Sequence, residues 1–371
     1  MENNLKDMGK LHFTEEGKKN LMNYVKETAN QTVNQKKVFQ FSNLLKVSVI
    51  VATLCLTSIT AYATGILRPV GEVLAPLLGQ NQAQTEIIEK IGRPIGASDT
   101  SNGVTITAEA IIGDRQSTIV VYTVANEDGS AFTVSQDQNL EDIFFHIGDS
   151  DTSNGTQLAH NGEWSSGGLH VMVDEQGSLM IMERLQTGGE LPFGTVVPVR
   201  FGAMQYYDVE NGITTLVDGM WEFEYLFDYE DSSVQIEVHE EFEKDGITTI
   251  VENIHISPIA LCVKYQMDGL PQLKFIEPSM EGATDMELVG EGVMKIEEVY
   301  FCEAPIFLNK QDGTSMELAE LSSFLGEASR TETREDGTIT FLAETNGVFD
   351  EIIPLDEIVS ITVGEIEVFM P

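Results

Sequence analysis

Hydrophobic and polar residues alternate over much of the chain beyond residue 97, and this period of two predicts β-strands. The clearest case is a run in which every second residue is aromatic: Trp221, Phe223, Tyr225, Phe227 and Tyr229. The positions between and after them are Glu222, Glu224, Leu226, Asp228 and Glu230. We therefore predict a half-buried strand with an aromatic core face and an acidic solvent face.

Further alternating runs flank turn signals along the same region. Residues 104–108 and 119–124 are predicted to form a pair of strands, and 234–238 opens a second series that ends at 358–369. The dipeptides Asn-Gly and Asp-Gly, which suit the positive φ angles of tight hairpin turns, occur eleven times. Short strands with frequent turns predict a mainly β fold.

About 275 residues are too many for one β-sandwich. We therefore predict two β-sandwich domains of the immunoglobulin-like type, at residues 98–232 and 233–371, with a boundary near Asp231-Ser232-Ser233.

A different pattern precedes these domains, because residues 47–67 are 21 consecutive positions without a charge. As a helix this segment spans roughly 31 Å, which matches a hydrocarbon core of about 30 Å. Residues 1–46 carry eight Lys and five acids, a net charge of +3, whereas the remainder carries −42. The positive-inside rule then predicts a single transmembrane helix, a cytoplasmic N-terminus and extracellular C-terminal domains in the cell membrane.

A cleaved signal peptide is the alternative, since Ala61-Tyr62-Ala63 has the small-x-small form of a cleavage site. The 46 residues before the apolar run are much longer than a secretory n-region, and this favours a retained anchor. Small and hydroxylated residues recur on one face of the predicted span, at Thr53, Thr57, Ala61 and Gly65. Such a stripe suits the association of two transmembrane helices, although small residues are also simply common in membrane spans.

The predicted cytoplasmic tail, residues 1–46, contains one amphipathic helix. Thr14 can cap a helix that starts with two acids, and apolar residues follow at helical spacing. The stripe that we predict to bind a partner is Leu21, Met22, Val25 and Ala29. A tail of this length cannot bury much of a core, so the stripe serves a partner protein, the inner membrane surface or no function.

Residues 68–97 are predicted to connect the membrane to the first domain. A short helix is expected around residues 84–91, and Gly71, Gly79, Gly92 and Gly96 are expected to leave backbone that opens locally. Such a connector would suit transmission of a signal by proteolytic cutting.

The net charge of −39 argues against nucleic-acid binding, which depends on basic patches. The sequence lacks a Gly-x-Ser-x-Gly elbow, a His-Glu-x-x-His motif and a phosphate-binding loop, so we expect no enzymatic activity and no cofactor. Residues 149–153 begin like a calcium-binding loop, but Asn154 and His160 stand where that loop needs Gly and Glu. We therefore predict no metal site. Cys262 and Cys302 are expected to be thiols, with a disulfide as the alternative.

Two short peptides are repeated within the chain. Ser-Asp-Thr-Ser-Asn-Gly occurs at 98–103 and 150–155, and Gly-Ile-Thr-Thr at 212–215 and 246–249. Turn chemistry suffices to explain both repeats, and internal duplication is the alternative.

The order of these parts resembles a family of single-pass membrane proteins of low-GC Gram-positive bacteria. Its members are regarded as anti-sigma factors, that is, negative effectors of extracytoplasmic-function sigma factors. The resemblance covers most of the chain and is carried by the tail 11–16, the span ending 61–63, the strands 102–107 and 119–124, and the segments 221–223, 256–258 and 353–362. These motifs are architectural and not catalytic.

The resemblance implies a membrane-anchored regulator whose tail restrains a sigma factor and whose exterior domains respond to an envelope ligand. The chain departs from the zinc-bearing anti-sigma domains, because no Cys precedes the span to complete their His-x-x-x-Cys-x-x-Cys motif. The competing hypothesis is an exterior binding or adhesion module without a signalling role.

Overall fold

The structure of the protein is a computed structural model that describes most of residues 67–371. It does not describe residues 1–66, 80, 136–137, 148–153, 159–164, 175–176, 210, 245–246, 269–274, 277–286, 290–291, 297–303 and 334–338. The predicted tail and all of the predicted span except Leu67 therefore lie outside the described residues. Among the residues that are described, no helix is long and apolar enough to cross a membrane.

The described part of the chain is mainly β, as predicted, with several antiparallel sheets. It divides into two compact units. Unit 1 comprises the described residues up to Ser232 together with Glu351–Pro354, and unit 2 comprises Ser233–Asp350 and Leu355–Pro371.

The described residues of unit 1 form two helices followed by eleven strands. The helices are α1 (Val70–Leu78) and α2 (Gln82–Ile91). The strands are β1 (Arg93–Ser101), β2 (Val104–Gly113), β3 (Ser117–Asn126), β4 (Ile143–His146), β5 (Gly155–Thr156), β6 (Ser165–Val173), β7 (Leu179–Thr187), β8 (Thr195–Phe201), β9 (Ala203–Asp208), β10 (Gly212–Val217) and β11 (Trp221–Phe227). A 3₁₀ turn at Leu140–Asp142 precedes β4.

The described strands of unit 1 form three antiparallel sheets, in the orders β1-β2-β3-β7-β6, β10-β9-β4 and β11-β8-β5. Inward residues of all three sheets contribute to one hydrophobic core, in which Ile106, Tyr122, Ile181, Phe201 and Trp221 are almost completely buried. The alternation along each strand places these residues on one face, so the core lies between the five-stranded sheet and the two smaller ones.

Two predicted features of unit 1 are confirmed. Strands β2 and β3 pair directly, with Ile106 opposite Val124. Strand β11 buries Trp221 and Tyr225 while Glu222 and Glu224 are exposed. The prediction for the acidic face was wrong at one position, since Asp228 is 3% exposed. The strand ends at Phe227, and the strict alternation of faces therefore no longer holds at Asp228.

Unit 2 contains twelve strands and one short helix among its described residues. The strands are β12 (Val234–Lys244), β13 (Ile247–Ile256), β14 (Ala260–Asp268), β15 (Phe275–Ile276), β16 (Glu287–Val289), β17 (Gly292–Ile296), β18 (Ile306–Lys310), β19 (Ser315–Glu317), β20 (Phe324–Thr333), β21 (Ile339–Val348), β22 (Ile358–Val363) and β23 (Ile366–Phe369). The helix is α3 (Leu318–Leu321), and a 3₁₀ turn covers Leu355–Glu357. The sheet orders are β12-β13-β14-β21-β20, β15-β17-β16 and β19-β18-β22-β23.

The five-stranded sheets of the two units have the same strand order. In each unit three consecutive strands form an antiparallel meander. A later hairpin then joins the meander with its second strand next to the third, as β7 beside β3 and β21 beside β14.

The likeness extends to the register of single residues. The first strand has a bulge between Pro94 and Ala97 in unit 1 and between Glu237 and Glu240 in unit 2. The second strand has its own bulge, at which Glu109 in unit 1 and Glu252 in unit 2 have no residue opposite them on the third strand. Next to each of these second bulges, the third strand carries a buried tyrosine: Tyr122 in unit 1 and Tyr265 in unit 2.

The turn before the third strand is also shared. Asp114 N–H donates to the Ser117 carbonyl at 2.8 Å, and Ser257 N–H donates to the Ala260 carbonyl at 2.8 Å. The side chains of Asp114 and Ser257 each accept a backbone N–H from within their own turn. Turn chemistry alone does not explain this agreement in strand order, bulges and turn. The agreement supports an internal duplication.

The repeated Gly-Ile-Thr-Thr peptide does not occupy equivalent positions in the two units. The Gly-Ile-Thr-Thr peptide starting at Gly212 lies in β10, whereas the described residues of its second copy lie in β13. These strands belong to different sheets and have different neighbours.

Candidate functional site

The residues that the sequence analysis assigned to partner binding and to helix association lie outside the described residues. The partner-binding set is Leu21, Met22, Val25 and Ala29, and the helix-association set is Thr53, Thr57, Ala61 and Gly65. Both assignments remain predictions. The candidate site within the described part is a cluster of polar side chains inside unit 1.

This Glu183 cluster consists of Glu183 on β7, Tyr122 on β3, Thr156 on β5 and Tyr225 on β11. All four residues are at most 4% exposed. The first two belong to the five-stranded sheet and the other two to a three-stranded sheet. The cluster therefore joins two layers of unit 1 by hydrogen bonds through its apolar core.

Glu183 accepts three hydrogen bonds in this cluster. Its Oε1 accepts the Thr156 backbone N–H at 2.7 Å. Its Oε2 accepts the Tyr122 hydroxyl at 2.6 Å and the Thr156 hydroxyl at 2.7 Å. The Tyr225 hydroxyl lies 3.0 Å from Thr156 Oγ1, and it reaches the carboxyl group only through that threonine. All three donors to Glu183 are neutral groups, so the carboxylate is stabilised without a basic side chain among these hydrogen bonds.

Burial dominates the electrostatics of the cluster. Removal from water raises the pKa of Glu183 above its ordinary value of 4.5, and the hydrogen bonds from Tyr122 and Thr156 oppose this shift only in part. Burial and the nearby Glu183 carboxylate also raise the pKa values of the Tyr122 and Tyr225 hydroxyls. The folded unit thus binds a proton at Glu183 more tightly than an exposed glutamate would.

Local sequence explains how the carboxyl group reaches its partners. Glu183 follows Leu179 and Ile181 at steps of two residues along β7. Alternate residues of a strand share a face, so Glu183 points into the core as these two residues do. Gly155 has a φ of 92°, and a Cβ at this position would overlap Glu183 Oε1. Glycine is therefore required beside Thr156 for both backbone conformation and close approach.

Sequence reasoning missed this cluster, although one signal was available. Glu183 directly follows the apolar run Leu179–Met182 and lies at the same two-residue spacing as Leu179 and Ile181, which marks it as a buried acid. Its partners could not be found in the same way, because Tyr122 and Thr156 lie on other strands.

The arrangement can hold or release a proton and can link strands, and its burial keeps it from bulk solvent. Among the described residues, no group of three or more His, Cys, Asp or Glu side chains could hold a metal ion. The calcium-like loop 149–153 lies outside the described residues. Cys262 is buried on β14, and Cys302 lies outside the described residues, so the expectation that both are thiols remains a prediction.

A second feature concerns the predicted connector, residues 68–97. Helices α1 and α2 bury Val73, Leu74, Leu78, Ile88 and Ile91, each at most 1% exposed. Strand β1 already begins at Arg93 within this range. The connector is therefore packed secondary structure of unit 1, and not the segment that we expected to open locally. Its helix α2 confirms the short helix expected around residues 84–91. Gly79 and Gly92 end the helices rather than loosen them.

Gln84 secures the loop between these helices. It forms a reciprocal capping box with Asn81, whose side chain accepts the Gln84 N–H at 2.9 Å. The buried Gln84 amide also donates to the Ile352 carbonyl at 2.9 Å, and Ile352 N–H donates to the Leu78 carbonyl at 2.6 Å. Ile352 belongs to unit 1, so these bonds fasten both helices within that unit.

Comparisons with known proteins add little to this description. No family model matches the chain, and no curated protein matches it. A solved structure described as the conserved domain protein from Bacillus anthracis is similar over 73% of this chain and 75% of its own chain. The sequence identity is 13% and the TM-score is 0.39.

Proposed function

We propose that the protein is a membrane-anchored regulator, an anti-sigma factor that restrains an extracytoplasmic-function sigma factor. Residues 1–46 are the cytoplasmic tail that binds the sigma factor, and 47–67 are the transmembrane helix. The units beyond the span are exterior β-sandwich domains of immunoglobulin-like type that respond to a ligand in the cell envelope.

The observation that carries this proposal is the division of charge along the chain. A net charge of +3 before the uncharged segment and −42 from that segment onward favours one orientation in a membrane. The predicted span is followed at once by folded structure, since Leu67 is 6% exposed and α1 begins at Val70. An exterior change in unit 1 would therefore act on the span without a long flexible linker between them.

The tail would bind as a helix laid in a groove of its partner, with Leu21 and Val25 among the anchors. The test is co-purification, from membranes, of the full-length chain with the sigma factor encoded beside it. Leu21→Asp with Val25→Asp should abolish the capture. Asn20→Asp with Gln31→Asp adds the same charge on the opposite helical face and should retain it.

Unchanged capture by the Leu21 and Val25 variant, at equal membrane levels, would contradict the assigned site. If neither the native chain nor the control captures a sigma factor, the regulator proposal itself fails. A gene neighbourhood of cell-wall or transport functions, without a sigma-factor gene, would then favour the exterior binding module.

A further inference from the structure

Exposed apolar side chains of unit 1 are concentrated on one hairpin, which β9 and β10 form. Val209 is 87% exposed, Ile213 is 62% exposed and Tyr207 is 48% exposed. These are three of the eight large hydrophobic side chains that are exposed among the described residues, and the other five lie on five other segments. A single exposed apolar residue is ordinary, whereas a group of them marks a candidate contact surface.

The hairpin presents this group on its outer face. Tyr207 and Ile213 are directly opposite each other in the antiparallel pair, so their side chains lie on the same face of the sheet. The other face of β9 is anchored in unit 1, because Met204 is completely buried and Tyr206 packs against the hydrophobic core. Strand alternation therefore directs Tyr207 and Ile213 away from that core.

Hydrogen bonds fix the residues that flank the turn of the hairpin. Asp208 Oδ1 accepts the Asn211 backbone N–H at 2.7 Å and the Asn211 side-chain amide at 3.0 Å. Gly212 follows with a φ of 77°, a left-handed conformation that suits glycine. A partner would therefore meet a preformed surface and would not have to order the ends of the two strands.

The charges around the hairpin favour a partner of one sign. Residues 203–217 contain no Lys, Arg or His, while Asp208 ends β9 and the exposed Asp218 follows β10. Residues 67–232 as a whole contain 26 Asp and Glu against six Lys and Arg, a net charge of −20. Such a field attracts cationic ligands, and it repels anionic lipid headgroups and a second copy of this chain.

We propose that the β9–β10 hairpin binds a cationic amphipathic peptide. Apolar side chains of the peptide pack on Tyr207, Val209 and Ile213, and its Lys or Arg side chains are attracted by the surrounding carboxylates. A peptide fits this surface better than a folded protein does, because three side chains offer far less than the roughly 800 Å² that each partner contributes to a standard protein interface. The inference names the chemical class of the envelope ligand, and it rests on the proposed function for the exterior location of unit 1.

The test measures the binding of three fluorescent synthetic peptides of equal length to the full-length chain in phosphatidylcholine nanodiscs, with empty nanodiscs as the background. The first peptide alternates Lys with Leu, the second Glu with Leu, and the third Lys with Ser. Only the Lys-Leu peptide combines positive charge with an apolar face, so it should bind most tightly and should bind less tightly as salt is added. The Lys-Ser peptide should bind at least about tenfold more weakly, because it lacks the apolar contacts. The Glu-Leu peptide should not bind.

Substitutions on the hairpin locate the site. Val209→Ser with Ile213→Ser should weaken binding of the Lys-Leu peptide at least about tenfold. Both side chains are mostly exposed, so the fold should be retained, and thermal unfolding checks this. Val173→Ser with Phe369→Ser removes two apolar side chains, 46% and 64% exposed, outside the hairpin and should bind the peptide as the native chain does.

Three results would overturn the proposal. The first is equal binding of the Lys-Leu peptide by the native chain and the hairpin variant, and the second is equal binding of the Glu-Leu and Lys-Leu peptides. The third is conversion of a dimer into a monomer by the hairpin substitutions, measured by light scattering, because a second copy would then be the occupant. These measurements involve no sigma factor, so a failure of peptide binding and a failure of sigma-factor capture can be told apart.

Discussion

The Tyr122 hydroxyl donates a hydrogen bond of 2.6 Å to Glu183 Oε2, and both groups are buried between the sheets of unit 1. Their strands are neighbours in one sheet, and the same carboxyl group reaches Thr156 on β5 of another sheet. A single acid therefore fixes the short strand β5 against the five-stranded sheet. The consequences for stability can be separated by substitution.

The stability of unit 1 should fall as pH rises through the titration of Glu183. Its folded pKa is raised above the ordinary value of 4.5, so the unfolded chain loses the proton first. The contribution is complete below about pH 4 and is lost as pH rises toward the folded pKa. Glu183→Gln should remove this slope. Denaturation at several pH values, followed by the fluorescence of buried Trp221, measures it.

Exposed Glu190, whose side chain is 78% accessible, offers a matched control for that experiment. Glu190→Gln should keep the pH slope of the native chain. If Glu183→Gln and Glu190→Gln have the same slope as the native chain, Glu183 does not titrate as its burial requires.

The two tyrosines of the cluster should differ in their effect. Tyr122→Phe removes a donor to the carboxylate itself and should destabilise the fold by about 1–3 kcal/mol. Tyr225→Phe removes a contact only with Thr156, so the loss should be about 0.5–1.5 kcal/mol. Urea denaturation of both variants at neutral pH tests the order. A larger loss for Tyr225→Phe would show that the hydroxyl bonds are not the decisive difference.

Two glutamines on α2 allow the connector helices to be tested. Gln84→Ala leaves the buried Ile352 carbonyl without its 2.9 Å donor and removes half of the capping box. We expect a loss of about 1–3 kcal/mol and faster proteolysis within residues 70–91. Gln82 bonds only to Glu86 on the exposed surface, so Gln82→Ala should change stability by less than about 0.5 kcal/mol. Equal proteolysis of the two variants would argue against a securing role for Gln84.

Equivalent bulge positions in the two units should respond in opposite ways to substitution. Gly96 has a φ of 75°, and a Cβ there would overlap the Leu67 side chain. Gly96→Ala should therefore destabilise unit 1 by more than about 1 kcal/mol. His239 has a φ of 56° and is exposed, so His239→Gly relieves the left-handed backbone and should leave unit 2 as stable or slightly more stable. Thermal unfolding of both variants measures these changes in stability. A marked loss of stability in His239→Gly would mean that the His239 side chain is needed.

Short-range patterns in the sequence determined a large part of the described fold. Strand β11 was predictable because residues two apart along a strand share a face, and the pairing of β2 with β3 because they are joined by a short turn. The helix α2 contains the short helix expected around residues 84–91, and it ends at Gly92. Each of these features depends on residues that are close along the chain.

Contacts between distant residues were decided only by the tertiary structure. The sequence places Glu183 directly after an apolar run, but it does not show that Tyr122, 61 residues away, donates to it. Nor did it show that Gln84 would bond to Ile352, or that Gly96 and His239 would occupy equivalent bulges with unrelated side chains. The period of hydrophobic residues in the sequence indicates which face of a helix or strand is buried. The residue that a buried side chain contacts across the core depends on the order and register of the strands. Those are chosen by packing of the whole unit, and no local pattern contains them.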